Sequence, residues 1–182
     1  MPHSAAIFIL TGAPGAGKTS VARELAQRFE LGLHLPVDEL RDWVVAGKVE
    51  PIPLLTPAGA HQLRLARQSA GSIADIYSRG GCTVVIDDVL VPDDLQTLFD
   101  QRQPGCPVHK LFLRPSFDDV IARNSARYIH FDRQKWTPVI QGLYQELSLR
   151  NTPAEGWTVL DTTGWSIAQT VDAILKGVGN AS

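Results

Sequence analysis

The sequence has few of the features that mark secreted, membrane-spanning or nucleic-acid-coating proteins. It contains only two cysteines, Cys82 and Cys106, which are too few for a disulfide framework and form no zinc-binding pattern. No apolar run reaches the roughly 18 residues of a membrane-spanning helix. Its 17 lysines and arginines are outnumbered by 19 acidic residues, so it has no basic excess for coating a phosphate backbone. We therefore expect a cytoplasmic protein that binds neither membranes nor nucleic acid.

The composition is that of one globular domain. Hydrophobic residues make up 44% and charged residues 20% of 182 residues, and a typical domain has roughly 150 residues. We expect a single domain over residues 1–178 and a frayed tail at residues 179–182.

Short apolar runs alternate with amphipathic segments along the chain. Strands are predicted at residues 5–10, 33–37, 82–88, 108–113 and 157–160. Such alternation is typical of an α/β protein with a parallel sheet and helices on both faces. Residues 128–136, rich in charged and aromatic side chains, interrupt the pattern and predict an irregular lid, after which Pro138 begins another helix.

The segment between the first strand and the first helix matches the phosphate-binding pattern G-x-x-x-x-G-K-[ST]. Its backbone N–H groups and the helix N-terminus favour phosphate. Lys18 suits the β- and γ-phosphates, the Thr19 hydroxyl suits Mg²⁺, and Ser20 suits the α-phosphate. The predicted nucleotide-binding residues are Gly12, Ala13, Pro14, Gly15, Ala16, Gly17, Lys18, Thr19 and Ser20. The pattern predicts a bound nucleotide and Mg²⁺.

Two adjacent carboxylates end the third predicted strand. Side chains alternate across a strand, so Asp87 and Asp88 are expected to diverge. We assign Asp87 to the metal and Asp88 to the acceptor side. A pair of turn or capping aspartates is the alternative.

Asp38 follows the second strand, at the edge where open α/β sheets bind ligands. It is a candidate base that accepts the proton of an attacking hydroxyl, or alternatively an N-cap for residues 39–45. Arg41 is a candidate for binding an anionic or hydroxylated acceptor, or else a solvated helix arginine. Residues 39–79 are the predicted acceptor-binding segment.

Arginines cluster around the predicted lid. Arg127 and Arg133 are candidates for stabilising the charge of the transferred phosphoryl group. Arg123 and Arg127 lie four residues apart, so either is placed to stack on the nucleotide base. An ordinary basic helix surface is the alternative. Thr162 follows the last strand and predicts a loop beneath the base, unless it belongs to a plain turn.

The four tryptophans are expected in the core or the lid. For Trp43 there is a second interpretation, in which it and the proline-punctuated loop 51–57 wall an apolar acceptor pocket.

Four segments carry a family resemblance: GAPGAGKTS at 12–20, PVDEL at 36–40, VVIDDVLV at 84–91 and VLDTTGWS at 159–166. With them the chain resembles small P-loop kinases of the nucleoside-monophosphate-kinase-like group, and within it the chloramphenicol phosphotransferase-like proteins. The resemblance implies a three-layer P-loop NTPase fold with strand order 2-3-1-4-5 and a lid between the last two strands. It also implies Asp38 as the base, ATP as the donor and an antibiotic hydroxyl as the acceptor.

The expected function is therefore an ATP- and Mg²⁺-dependent phosphotransferase acting on a small-molecule hydroxyl. A second resemblance, to tunicamycin-resistance proteins, implies the alternative of nucleotide-dependent drug sequestration without efficient turnover. A regulatory GTPase is disfavoured because no Asn-Lys-x-Asp motif is present, and a motor ATPase because little chain remains for an extra helical domain. The sequence leaves the acceptor and the choice between monomer and homodimer open.

Overall fold

Five parallel strands form the centre of the protein, whose computed structural model describes residues 5–99, 105–127 and 132–179. The strands are β1 (Ile7–Thr11), β2 (Gly32–Pro36), β3 (Thr83–Asp87), β4 (Val108–Leu113) and β5 (Thr158–Leu160). Their order across the sheet is β2-β3-β1-β4-β5, and each neighbouring pair is parallel. This confirms the α/β class and the strand order implied by the resemblance.

Helices connect the strands and cover the sheet. They are α1 (Lys18–Ala26), α2 (Val37–Asp42), α3 (Pro57–Arg79), α4 (Pro92–Phe99), α5 (Phe117–Arg127), α6 (Arg133–Arg150) and α7 (Ile167–Gly179), with a short 3₁₀ helix at Pro153–Glu155. Across the three described stretches of the chain, none of the helices has the length and hydropathy needed to cross a membrane.

The strands alternate their side chains between two apolar cores, as expected for a parallel sheet that is buried on both faces. Ile7 and Ile9 belong to one core, which helices α3 to α6 cover. Phe8 and Leu10 belong to the other, which α1 and α7 cover. The protein therefore has three layers, with the sheet in the middle.

The carboxyl ends of β1, β2 and β3 lie side by side. In the strand register, Asp87 pairs with Leu10 of β1 and with Pro36 of β2. The residues that follow these strands, including the phosphate-binding loop and Asp38, therefore meet at one edge of the sheet. This is the ligand-binding edge of open α/β folds.

The structure corrects the predicted boundaries of the lid. Helix α6 begins at Arg133, so residues 133–136 are helical and Pro138 lies inside the helix. The physical reason is the cap: the Asp132 carboxylate accepts a hydrogen bond from the Lys135 backbone N–H at 3.1 Å, which starts the helix before the proline. Residues 128–131 of the lid and residues 180–182 of the tail lie outside the described residues, and Gly179 still belongs to α7.

Candidate nucleotide and acceptor site

The loop between β1 and α1 has the backbone shape of a phosphate cradle. Gly17 caps α1 in the left-handed region, with φ of 95°. Nζ of Lys18 lies over the loop and donates to the carbonyl oxygens of Gly12, at 3.0 Å, and Ala13, at 3.3 Å. Both carbonyls belong to the cradle, so the lysine points where phosphate oxygens are expected.

Three carboxylates surround the Lys18 ammonium group within electrostatic reach. Burial lowers the pKa of Lys18, while the charges of Asp87, Asp38 and Asp88 act in the opposite direction. The structure therefore brings together four residues that were selected from different parts of the sequence. The charge of Arg127 also lowers the pKa of Lys18, so the end of α5 faces the same site.

Helix α5 packs against the loop between β1 and α1 and binds it through Asn124. Asn124 donates from Nδ2 to the Pro14 carbonyl oxygen at 2.8 Å, and to the Val120 carbonyl oxygen within its own helix. Gly15 has φ of 91°, and a Cβ there would lie 2.3 Å from Asn124 Nδ2. Only glycine therefore fits at position 15, because any side chain there would clash with Asn124.

Asp87 faces helix α1. Its Oδ1 accepts from the Thr19 hydroxyl at 3.4 Å, and its Oδ2 lies 2.5 Å from Nε2 of His34 on β2. The hydroxyl and carboxylate oxygens are hard donors that suit Mg²⁺, which commonly takes one or two protein ligands together with phosphate oxygens and water. Thr19 and Asp87 thus fit the predicted metal position, and no cluster of three or more His, Cys, Asp or Glu offers another in the described ranges.

Asp88 faces the opposite way, toward α3. Its Oδ2 accepts from Nε of Arg67 at 2.8 Å, and its Oδ1 accepts from the Val89 N–H at 2.7 Å. Arg67 also bonds Asp94, at 2.5 Å, and the Val89 carbonyl oxygen, at 2.8 Å. Burial raises the pKa of Asp88 to about 6, against the opposing effect of Arg67. Asp88 is therefore held by Arg67 and the backbone at the border of the site, and only 4% of its side chain is exposed.

Asp38 is the accessible carboxylate of the group. It lies in the first turn of α2, whose N-cap is Pro36, so Asp38 is not a helix cap. Its side chain is 77% exposed, and Oδ1 accepts from Nη1 of Arg41 at 3.1 Å.

Arg41 is buried, and its guanidinium group is hydrogen-bonded to other groups of the protein. Besides Asp38, it bonds the carboxylate of Glu50 at 3.0 Å and the Val49 carbonyl oxygen at 3.5 Å. Lys48 joins the same network through Asp42, at 2.6 Å, and Glu50, at 2.9 Å. Arg41 thereby fastens the loop after α2 to the candidate base.

A cleft of about 430 Å³ lies beside α1, opposite the carboxylates. Arg123 and Thr162, both selected from the sequence as nucleotide-binding residues, line it together with Trp165 and Ile167. Arg123 donates to the Ala16 carbonyl oxygen at 3.3 Å. The Thr162 hydroxyl is buried without a hydrogen-bond partner in the described part of the chain. A cleft with both apolar and polar lining next to a phosphate loop suits a nucleotide base.

Arg133 is exposed at the first turn of α6. Within residues 5–99, 105–127 and 132–179, no hydrogen bond or ion pair joins it to the phosphate loop. Its predicted role therefore stays a prediction, whereas Arg127 is within electrostatic reach of Lys18.

A protein-family model described as an AAA domain matches residues 7–145, which include the phosphate loop and all three carboxylates. The chain belongs to this AAA-domain family. The comparison with curated proteins found no match.

Solved structures similar to this AAA-domain chain include small-molecule kinases. A sugar kinase from Janibacter sp. HTCC2649 superposes with a TM-score of 0.69 at 19% identity, covering 95% of this chain and 93% of that one. A gluconokinase from Sinorhizobium meliloti 1021 has the same TM-score and identity, covering 100% and 95%. The tunicamycin resistance protein of Deinococcus radiodurans has a TM-score of 0.64 at 19% identity, with 96% of each chain covered. At these identities the likeness establishes a P-loop kinase-like fold.

Sequence reasoning missed four supporting residues of this AAA-domain site: Asn124, His34, Arg67 and Glu50. Asn124 had a signal, because asparagine is unfavourable inside a helix unless its side chain has a partner. His34 and Arg67 had a similar signal, as polar residues flanked by the buried Leu35 and Ala66 respectively. No local sequence signal distinguishes Glu50, because it contacts its partner Arg41 only when the loop after α2 folds back onto the helix.

Proposed function

We propose that this protein transfers the γ-phosphoryl group of ATP to a hydroxyl group of a small molecule. The observation that carries the proposal is the placement of an accessible carboxylate, Asp38, within electrostatic reach of the phosphate-loop lysine, Lys18. A regulatory GTPase needs no such carboxylate, because its attacking nucleophile is a water molecule that a glutamine can orient.

In the proposed reaction, Lys18 and the loop N–H groups hold the β- and γ-phosphates. The acceptor oxygen attacks the γ-phosphorus while its proton passes to Asp38. The bond from the γ-phosphorus to the bridging oxygen breaks, and ADP leaves with that electron pair. Thr19 and Asp87 would hold Mg²⁺, which supplies positive charge to the phosphate oxygens.

The remaining predicted residues have distinct parts in this scheme. Arg127 and Arg133 neutralise the charge on the equatorial oxygens of the transferred phosphoryl group. Arg41 orients Asp38, and Asp88 borders the acceptor side. Arg123 and Thr162 flank the base.

The acceptor-binding segment, residues 39–79, presents exposed apolar side chains. Trp43 is 71% exposed and Leu54 is 73% exposed, so the expectation that Trp43 packs in the core is wrong. These side chains support an acceptor with an apolar part, such as a hydroxyl-bearing antibiotic. We place this chemistry in the cytoplasm, with the choice between monomer and homodimer open.

The test is a pooled reaction read by mass spectrometry. The protein is incubated with Mg-ATP, or Mg-GTP, and a panel of hydroxyl-bearing antibiotics, nucleosides and sugars. We expect one compound to gain a phosphoryl group, and Asp38→Asn to lower its rate about 10²–10⁴-fold by removing the base. Glu39→Gln is the matched control, because it neutralises an exposed carboxylate next to Asp38 in the first turn of the same helix. Equal loss in both variants, or turnover of ATP with no dependence on any acceptor, would count against the proposal.

The alternative is a protein that sequesters a drug when nucleotide is bound. Its support is the similarity to the tunicamycin resistance protein together with the exposed apolar segment. Under this alternative, cells expressing Asp38→Asn keep their drug resistance, because binding does not need the base. Loss of resistance in a variant that still folds and binds nucleotide argues for the kinase.

A further inference from the structure

The contact between His34 and Asp87 has no part in the reaction proposed above. Nε2 of His34 lies 2.5 Å from Oδ2 of Asp87. Both side chains are nearly buried, with 12% and 8% of their surfaces exposed. A buried histidine joined to a carboxylate at the nucleotide site calls for a reason beyond packing.

The strand pattern explains how the two side chains meet. His34 pairs with Val85 in the register of β2 and β3, and Asp87 lies two residues beyond Val85. Side chains two residues apart share a face of the sheet, so His34 and Asp87 both face α1. Leu33 and Leu35 face the opposite core.

The hydrogen bond divides the Asp87 carboxylate between two partners. An ionised carboxylate only accepts, so Nε2 of His34 carries the proton and donates it to Oδ2. The other oxygen, Oδ1, then points to the Thr19 hydroxyl. Because His34 holds Oδ2, rotation of the Asp87 carboxylate away from the Thr19 hydroxyl would break the bond to His34.

We propose that His34 is a positioning residue for Mg²⁺, which fixes Asp87 so that Oδ1 faces the metal position at Thr19. The inference rests on the proposed nucleotide site. Partners that orient a metal's protein ligands commonly change metal affinity or activity about 10–100-fold when they are replaced.

The test measures binding of a non-hydrolysable ATP analogue by calorimetry, with EDTA and then over a series of free Mg²⁺ concentrations. For His34→Phe, we expect the Mg²⁺ concentration that gives half of the affinity gain to rise about 10-fold or more. Affinity in EDTA should stay unchanged. His34→Gln places an amide N–H near the former Nε2 and should recover most of the loss. His109→Phe is the matched control: His109 is a strand histidine that stacks on Phe8, with ring centroids 4.9 Å apart.

Three results would overturn the proposal. One is an unchanged Mg²⁺ midpoint in His34→Phe when Asp87→Asn shifts it. The second is an equal loss of affinity with and without Mg²⁺, and the third is no recovery in a folded His34→Gln; either of these two indicates packing alone. If the wild-type protein binds no nucleotide, the proposed function itself fails, and that result is visible before any variant is measured.

Discussion

Asp87 and Asp88 are neighbours in the chain, but their carboxylates belong to different surroundings. Asp87 faces α1, where His34 and Thr19 share its two oxygens. Asp88 faces α3, where Arg67 holds it. Because one strand turns consecutive side chains to opposite faces, two adjacent residues make contacts in different layers of the protein.

The salt-bridge network of Arg41 predicts a pH-dependent contribution to stability. Hydrogen bonds from Lys48 and Arg41 lower the pKa of Glu50 below its ordinary 4.5. A lowered pKa in the folded state means that the stabilisation is present above pH 4.5 and is lost as the pH falls through the folded-state pKa. Glu50→Gln should therefore lower the free energy of unfolding at neutral pH, by no more than about 1 kcal/mol because the carboxylate is largely exposed.

Urea denaturation at several pH values checks this expectation. The difference in the free energy of unfolding between wild type and Glu50→Gln should decrease toward zero as the solution is made acidic. Glu24→Gln is the matched control, since Glu24 pairs with Arg28 at 3.1 Å on the far side of the domain. A difference that persists unchanged below the folded-state pKa would contradict the electrostatic explanation.

The sequence could predict which residues approach the site, but not how they are held there. The lysine and threonine of the phosphate loop, and the divergence of the two aspartates, follow from local spacing. Asp38 follows from its position after a strand. The bonds of Arg41 to Glu50 and of Arg67 to Asp88 connect segments 9 and 21 residues apart, and they depend on the three-dimensional path of loops that no periodicity describes.

At the scale of elements, helices α3 and α4 meet at a contact that admits no side chain. A Cβ on Gly71 would lie 1.5 Å from the carbonyl oxygen of Leu98. Gly142 of α6 is the opposite case, because a Cβ there has nothing within 4 Å. The two glycines are both helical, so they separate the effect of packing from that of helix propensity.

We expect Gly71→Ala to destabilise the protein by about 1–3 kcal/mol or more, because the helices must move apart. Gly142→Ala should stabilise it by about 0.5–1 kcal/mol, since alanine favours the helix and meets no neighbour. Chemical denaturation of both variants provides the measurement. The same sign of change in both would show that the close approach of α3 to α4 has little energetic weight.

The elements themselves were largely predictable, because apolar runs and capping residues are local signals. Ser166 and Gln169, for example, form a capping box of the type that the spacing S-x-x-Q indicates, with hydrogen bonds of 3.2 and 2.9 Å. The start of α6 differs from the prediction, which begins this helix at Pro138. Asp132 provides an earlier cap. Pro138 is then the sixth residue of the helix, and because it has no N–H it leaves the Gln134 carbonyl oxygen without its usual helix partner.

At the scale of the whole molecule, the charged Lys18 that suits nucleotide binding makes the nucleotide-free fold less stable. Burial lowers its pKa below the ordinary 10.5 despite three nearby carboxylates, so the charged form is less favourable in the folded protein than in water. The wild-type protein should therefore gain stability as the pH rises from the folded-state pKa toward 10.5.

Lys18→Met should stabilise the nucleotide-free protein at neutral pH, by about 1 kcal/mol, and abolish nucleotide binding. Mg-ATP at 100 times its dissociation constant should add about 2.7 kcal/mol to the wild type and nothing to the variant. Thermal denaturation with and without nucleotide checks both statements. A variant less stable than the nucleotide-free wild type would show that the lysine is needed to balance the carboxylates.

The opposite orientation of Asp87 and Asp88 has a consequence for how this protein can change over generations. Inserting or deleting one residue within β3 would exchange the two carboxylates between layers, so each would meet the other's partners. Such a lineage would lose both sets of contacts in one step. The segment between α2 and α3 lies outside the sheet, so a change in its length would leave the orientation of Asp87 and Asp88 unchanged.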